Sequence, residues 1–183
     1  KAVIGRDRKR VLVLGDYVCT YALDCKGSLA VMLNVMEGLR GRKLDRDVYF
    51  CAFSREETGA LGGCYAARTL PCEHIIAIEV GPVAREYQTQ NCEKPILLYQ
   101  DAMGVYDEDG NTELAKAAES AGVDVQRAVL ATFGSDASVS ARYGQLARAN
   151  CICFPTENTH GYEIASLSGI ENTAKVLLAY LSG

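Results

Sequence analysis

The sequence predicts an α/β domain, a three-layer α/β/α arrangement on a mostly parallel, mixed central sheet. Three observations carry that reading. Short aliphatic and β-branched runs alternate along the chain with stretches of helical periodicity. Several runs, residues 75–80 above all, are apolar throughout, as strands covered on both faces are. The chain has 183 residues, 49% hydrophobic and 23% charged, which suits one globular domain with a substantial core.

In order along the chain, residues 10–14 (Arg10-Val-Leu-Val-Leu14) and residues 17–23 read as strands. Residues 27–39 place Leu29, Met32, Leu33 and Met36 on one helical face. Residues 48–53 read as a strand and residues 57–68 as a helix rich in small side chains. The strand at 75–80 is ended by Gly81-Pro82. A further strand over 96–99 leads into turn residues around 107–110, and residues 112–122 read as a helix with Thr112 as N-cap and Gly122 near its end. Strands at 128–132 and 149–154 flank a helix over 137–147, and residues 169–181 form an amphipathic C-terminal helix. No internal repeat, low-complexity tract or linker interrupts this order.

Composition excludes several classes of function. A net charge of −4 offers no basic footprint for nucleic acid. No apolar run approaches the roughly 20 residues of a membrane-spanning helix, and no signal peptide opens the sequence. The eight cysteines are irregularly spaced, with no zinc-finger pattern, and Cys51, Cys151 and Cys153 lie inside apolar runs. They read as free thiols in a reducing cytoplasm. The chain opens at Lys1 without Met, and its basic stretch (Arg6, Arg8, Lys9, Arg10) reads as a solvated loop. Such a start is expected of a processed or truncated chain.

In open α/β sheets ligands bind beyond the carboxyl ends of the strands, so polar residues there are the candidates. Asp24 closes the run at 17–23 and reads as a ligand or as a helix N-cap. Glu79 sits near the end of Ile75-Ile-Ala-Ile-Glu-Val80, where an unpaired carboxylate is costly to bury, so it reads as a ligand or as the partner of an Arg. Asp136 follows Phe133-Gly134-Ser135 and reads as a site residue or a helix cap, and His160 follows the last strand. His74, beside Glu73, reads as a surface residue. The most informative stretch is Phe53-Ser-Arg-Glu56-Glu57-Thr-Gly-Ala-Leu-Gly-Gly63. Two adjacent carboxylates between a strand and a helix complement the first helical turn, or else serve a hydrolase. In the second case one Glu takes a proton from water and the other binds the metal that acidifies it. Three carboxylate positions and a histidine at one sheet edge give oxygen and nitrogen donors suited to Zn²⁺, Co²⁺ or Mn²⁺.

These residues carry a resemblance. The chain is similar over residues 17–183 to the C-terminal part of the catalytic domain of the glutamyl aminopeptidase, or TET-type, dinuclear metalloaminopeptidases. Tyr21-Ala-Leu-Asp-Cys-Lys-Gly27 resembles that family's Ala-Leu-Asp-Asp-Arg/Lys segment, which puts Asp24 on the metal-bridging Asp and Cys25 where a second acidic residue is usual. Arg55-Glu-Glu-Thr-Gly59 resembles its Glu-Glu-Val-Gly segment, with Glu56 on the general base and Glu57 on a ligand of the second metal. Ile78-Glu79-Val80 falls on an Asp-Val position that ligates the first metal, and Gly134-Ser-Asp136-Ala137 on a Gly-Thr-Asp-Ala turn near the substrate. Pro155-Thr-Glu-Asn-Thr-His160 resembles the closing segment whose His is the last ligand of the second metal.

The resemblance implies a zinc-exopeptidase-like fold, two divalent ions (Zn²⁺ or Co²⁺, with Mn²⁺ as an option) and hydrolysis of N-terminal residues from short peptides. It implies Glu56 as the catalytic base, Asp24, Glu57, Glu79 and His160 as metal ligands, and Asp136 and Gly134 at the substrate. It also implies a homo-oligomer. Residues 1–16 fall on the end of an inserted oligomerisation domain, and the family's first-metal His, in an upstream His-x-Asp segment, has no candidate before Asp24. A missing N-terminal half of the same protein is therefore an expected partner. The other readings are a related dinuclear amidohydrolase, a deacylase or carboxypeptidase, and a truncated, inactive chain that serves only in binding or assembly.

Overall fold

In the computed structural model, which describes residues 11–183, seven strands form one mixed sheet with helices packed on both faces. The expectations for Arg10 and for the basic stretch before it lie outside the described residues. The chain begins with β1 (Val11–Leu14) and β2 (Tyr17–Tyr21), an antiparallel hairpin. Its tight turn uses Gly15 at φ +60°, a value that carries no Cβ penalty only in glycine. There follow α1 (Leu23–Leu39), α2 (Leu61–Thr69), β3 (His74–Pro82), β4 (Ile96–Asp101), α3 (Glu108–Ser120) and β5 (Gln126–Leu130). The chain closes with α4 (Asp136–Arg142), β6 (Arg148–Glu157), β7 (Tyr162–Ser166) and α5 (Leu167–Ser182).

The strand order is β1-β2-β7-β6-β4-β5, with β3 paired to β6. The β3–β6 and β4–β5 ladders are parallel, and the other four pairings are antiparallel. The α/β class and the layered, mixed sheet are as expected, with more antiparallel pairing than the apolar runs suggest. Continuous apolarity reports burial on two faces, and β4 and β6 have that whatever the direction of their neighbours.

Alternation along the strands builds two cores. Ile76, Ile78 and Val80 of β3, Leu97 of β4, and Ile152 and Phe154 of β6 face the layer of α1, α3 and α5. Ile75 and Ala77, Ile96 and Leu98, and Cys151 and Cys153 face the other side, with Ala137 of α4. The parallel ladder sets Glu79 opposite Cys153, so the one carboxylate of β3 belongs to the α4 side.

Five elements differ from expectation for identifiable reasons. Residues 48–53 join no ladder, because no described strand lies beside them. The second helix starts at Leu61 rather than residue 57, since Gly59 (φ +110°) and Ala60 (φ +54°) hold a turn that is not helical. Asp107, not Thr112, caps α3 by accepting the Gly110 N–H, so the helix takes in the turn-like residues 108–111. The helix after β5 stops at Arg142, just before Gly144 at φ +67°. β7 was not expected at all, since its inward Glu163 hides the alternation. All eight cysteines are free, and among the described residues no helix is long and apolar enough to cross a membrane.

His74 is half-buried rather than at the surface. Its Nε2 lies 2.7 Å from Asn150 Oδ1, and its Nδ1 3.3 Å from the Tyr180 hydroxyl. Asn150, fully buried, donates to Asp107 O and to Asn111 Oδ1, both at 2.9 Å, and so ties β6 to the start of α3. Burial holds the imidazole below its ordinary value, against the opposing pull of the Asn150 bond. The unfolded chain therefore takes up this proton first as pH falls, and the contribution of a neutral His74 is lost below its unfolded value, about 6.5. Urea titrations at a series of pH values check this: stability of the parent is expected to fall relative to His74→Gln as pH drops from about 7.5 to about 5.5.

Candidate active site

Five chain segments converge beyond the end of β3. The first is the entry to α1, where Ala22 adopts φ +59° and Asp24 and Cys25, joined by a cis peptide bond, depart from helical geometry. Asp24 is consequently no helix cap; its carboxylate projects into the site. The segment is held by Glu163 of β7, only 1% exposed, whose Oε2 accepts the Leu23 N–H at 2.5 Å and the Asp24 N–H at 3.3 Å.

The second segment is the turn before α2. Glu56 O accepts the Gly59 and Ala60 N–H groups at 3.0 and 2.8 Å, and Arg55 sits at φ +64°, so Glu56 and Glu57 stand on a closed turn rather than in a helix. The third is Glu79 on β3, 8% exposed, which accepts a hydrogen bond from Cys25 Sγ at 3.5 Å. Among the described residues no Arg or Lys makes an ion pair with it, so the reading of Glu79 as the partner of an Arg is set aside.

The fourth segment is the start of α4. Ser135, not Asp136, caps this helix in a reciprocal arrangement with Ser138, which frees Asp136 to face the cleft. Gly63 of α2 lies so close that a Cβ there would come within 2.6 Å of Asp136 Cβ. Gly134, two residues earlier, lies near Met103, away from the residues that line the cleft. The fifth segment is the loop after β6, where His160 at φ +64° brings Nε2 to 3.1 Å from Asp24 Oδ2 and 3.2 Å from Glu57 Oε1.

The donor atoms form two groups. Those of Asp24, Glu57 and His160 all lie within 4.8 Å of one another, as do those of Asp24, Cys25 and Glu79. Asp24 belongs to both. Oxygen and nitrogen donors at such separations fit borderline divalent ions, and a carboxylate common to two sites fits a pair of them.

Electrostatics agree with a crowded anionic pocket. Burial, then the charges of Asp136, Glu57 and Asp24, pushes Glu56 up to about 7. Burial, then the Glu57 charge, raises Asp24, and His160 opposes this. Burial, then Asp24 and Glu56, raises Glu79 well above the ordinary carboxylate range. Burial raises Asp136 as well, with the Gly63 amide pulling the other way. Groups in this state accept protons readily or gain strongly from a nearby cation.

The family profile described as M42 glutamyl aminopeptidase matches residues 3–176. The chain belongs to the M42 glutamyl aminopeptidase family. A putative aminopeptidase of Acetivibrio thermocellus is 26% identical over 171 residues, covering 90% of this chain and 51% of that protein. The putative aminopeptidase YhfE of Bacillus subtilis is 25% identical over 182 residues, covering 97% of this chain and 51% of that protein. Among solved structures, an aminopeptidase of Desulfurococcus kamchatkensis superposes with a TM-score of 0.86 at 25% identity, over 94% of this chain and 51% of that one. A TET peptidase of Pyrococcus horikoshii, which can assemble into a tetrahedron or a large octahedral shell, superposes with a TM-score of 0.87 at 22% identity, over 95% of this chain and 53% of that one. The chain thus spans about half the length of the curated relatives it matches.

Sequence reasoning selected Asp24, Glu56, Glu57, Glu79, Asp136 and His160; the first five border one cleft, and His160 lies against Asp24 and Glu57. It passed over Glu163. The available signal was an acidic residue at an inward position of a short alternating run, three places after His160. Its role is to fix the Asp24 backbone. Glu163→Ala is expected to lower divalent-ion affinity about 10- to 100-fold, as the loss of an outer-shell support does, while Glu163→Gln, which keeps a carbonyl acceptor, retains most of it. Cobalt titration of both variants by calorimetry checks this.

Proposed function

We propose that this chain carries the catalytic centre of a metal-dependent aminopeptidase that removes N-terminal residues from short peptides. The observation that carries the reading is the pair of donor groups sharing Asp24, with Glu56 beside them and free of either group. Membership of the M42 family and the relatives named as putative aminopeptidases support the reaction class. Asp24, Glu57 and His160 would hold one divalent ion, and Asp24 with Glu79 the other. Zn²⁺ or Co²⁺, with Mn²⁺ as a further option, suits these donors and would supply Lewis acidity toward water and the scissile carbonyl.

Glu56 takes the proton of the attacking water and returns it to the leaving amine. With Glu57 and Asp24 as ligands, Glu56, which stands beside both donor groups and belongs to neither, would be left free to exchange a proton. Asp136 limits the cleft on the α4 side and, with the Gly134 turn behind it, shapes the space for the substrate. The first ion has fewer protein donors than the second unless further chain contributes. The functional unit on this reading includes an N-terminal half of the same protein, with residues 1–16 as the end of an inserted assembly segment. A homo-oligomer is proposed on the same basis, and eight free cysteines support a reducing, cytoplasmic setting.

Glu56→Gln tests the base. Turnover of aminoacyl anilides is expected to fall about 10²- to 10⁴-fold with metal content unchanged, and a variant that keeps parental turnover would overturn the assignment. Chelation is expected to abolish activity, and added Zn²⁺ or Co²⁺ to restore it. Turnover of N-acyl amino acids in preference to aminoacyl anilides would instead favour the deacylase reading.

A further inference from the structure

We infer, on the basis of the metal-centre reading proposed above, that the Cys25 thiolate is the third donor to the ion held by Asp24 and Glu79. It biases that position toward thiophilic ions, Zn²⁺ ahead of Mn²⁺.

Cys25 follows Asp24 at the non-helical entry to α1, and both residues line the cleft. Its Sγ lies 3.5 Å from Glu79 Oε2 and 3.5 Å from Ile78 O. One S–H proton serves only one of these acceptors, which leaves the other oxygen against a sulfur lone pair. The Asp24 carboxylate completes the group, with all three donor atoms within 4.8 Å of one another. Of the eight cysteines, Cys25 alone enters such a group among the described residues.

The spacing suits a shared ion. Zinc bonds of about 2.3 Å to sulfur and about 2.1 Å to oxygen, at a tetrahedral angle, set the two donors about 3.6 Å apart. The alternative role for the thiol is to donate to Glu79, which is 8% exposed and has no other side-chain donor among the described residues. A thiol is a weak donor and offsets little of what it costs to bury a carboxylate. A cation between sulfur and oxygen offsets that cost directly.

A second buried group points to the same place. Ser28, one turn further along α1, is 5% exposed, lines the cleft and has a hydroxyl with no hydrogen-bond partner. Burial, then the Glu79 charge, pushes the Cys25 thiol up, and the Ser28 hydroxyl works against them. A thiolate is the acceptor that this hydroxyl lacks. Coordination supplies it: the S–H bond is exchanged for a sulfur–metal bond, and the proton passes to water.

Sulfur in the donor set decides selectivity. Carboxylate and water suit Mn²⁺, whereas thiolate suits Zn²⁺. The two positions that share Asp24 therefore differ in kind, one completed by Glu57 and His160 and the other by Glu79 and sulfur.

Cobalt titration of the full 183-residue chain, followed by absorption, tests this. The parent is expected to show visible bands of bound Co²⁺ together with a near-ultraviolet sulfur-to-cobalt charge-transfer band. Cys25→Ser is expected to lose the charge-transfer band and to keep visible bands from the ion beside His160. In Cys25→Asp the preference for Zn²⁺ over Mn²⁺, measured by competition, is expected to fall at least about tenfold. Circular dichroism checks that both variants fold. If they do not, alkylation of the parent by iodoacetamide, resolved by site with mass spectrometry, decides the matter. Zn²⁺ is expected to slow modification of Cys25 at least about tenfold and to leave Cys72 and Cys92 unchanged. Visible bands without a charge-transfer band in the parent would remove Cys25 from the centre and leave the metal-centre reading standing. A charge-transfer band that survives Cys25→Ser, an unchanged Zn²⁺ preference in Cys25→Asp, or equal alkylation of Cys25 with and without Zn²⁺ would overturn the assignment in the same way. No uptake of cobalt at all would overturn both.

Discussion

Glu79 sets the terms for the rest of the site. A carboxylate 8% exposed near the end of an apolar strand, with the charges of Asp24 and Glu56 close by, is strongly disfavoured as an isolated anion. Its one hydrogen-bond donor among the described side chains is the Cys25 thiol, a weak one. A fold that needed only stability would hold an apolar residue there, since the flanking positions are Ile78 and Val80. On the proposed reading, a cation beside it would offset what burial costs. The neighbouring segments bring further donors to the same place: Asp24 and Cys25 from the entry to α1, Glu57 from the turn before α2, and His160 from the loop after β6.

The position of Glu79 depends on register. In the parallel β3–β6 ladder Glu79 stands opposite Cys153, on the face of α4. A slip of one residue would exchange the two faces and drive the carboxylate among Ile152, Phe154 and the helices of the other layer. The apolar alternation of β3 and β6 therefore does two things at once. It fills two cores, and it fixes the side of the sheet from which the site is assembled. Asp136 and Gly63 belong to that same side, through the packing of α2 against α4. Asp24 reaches it from α1 only because the first residues of that helix are not helical.

Much of this was legible in the sequence. Carboxylates that follow apolar runs, such as Glu79, or stand beside a glycine-rich turn, such as Glu56 and Glu57, lie where α/β sheets place their ligands. The alternation of periods was enough to find α1, β3, β4, α3, β6 and α5. What escaped depended on pairing. β7 was hidden because a deeply buried residue in it, Glu163, looks like a solvent-facing one until its bonds to the Leu23 and Asp24 amides are seen. Residues 48–53 have the composition of a strand, but a strand exists only with a neighbour. The capping choices at Asp107 and Ser135 turned on which of several adjacent polar residues closes the turn, a contest that local sequence leaves open.

The free edge of β3 and the carboxylate cluster occupy one cleft, and this coincidence has a physical logic. Binding sites favour seams between structural units, where side chains from both sides can converge on a ligand without crossing a packed core. Around the candidate metal donors the described residues supply five carboxylates (Asp24, Glu56, Glu57, Glu79 and Asp136), the Cys25 thiol and the His160 imidazole. Five carboxylates crowded beside one exposed strand edge repel one another, so this place in the fold gains most from a cation bound among them.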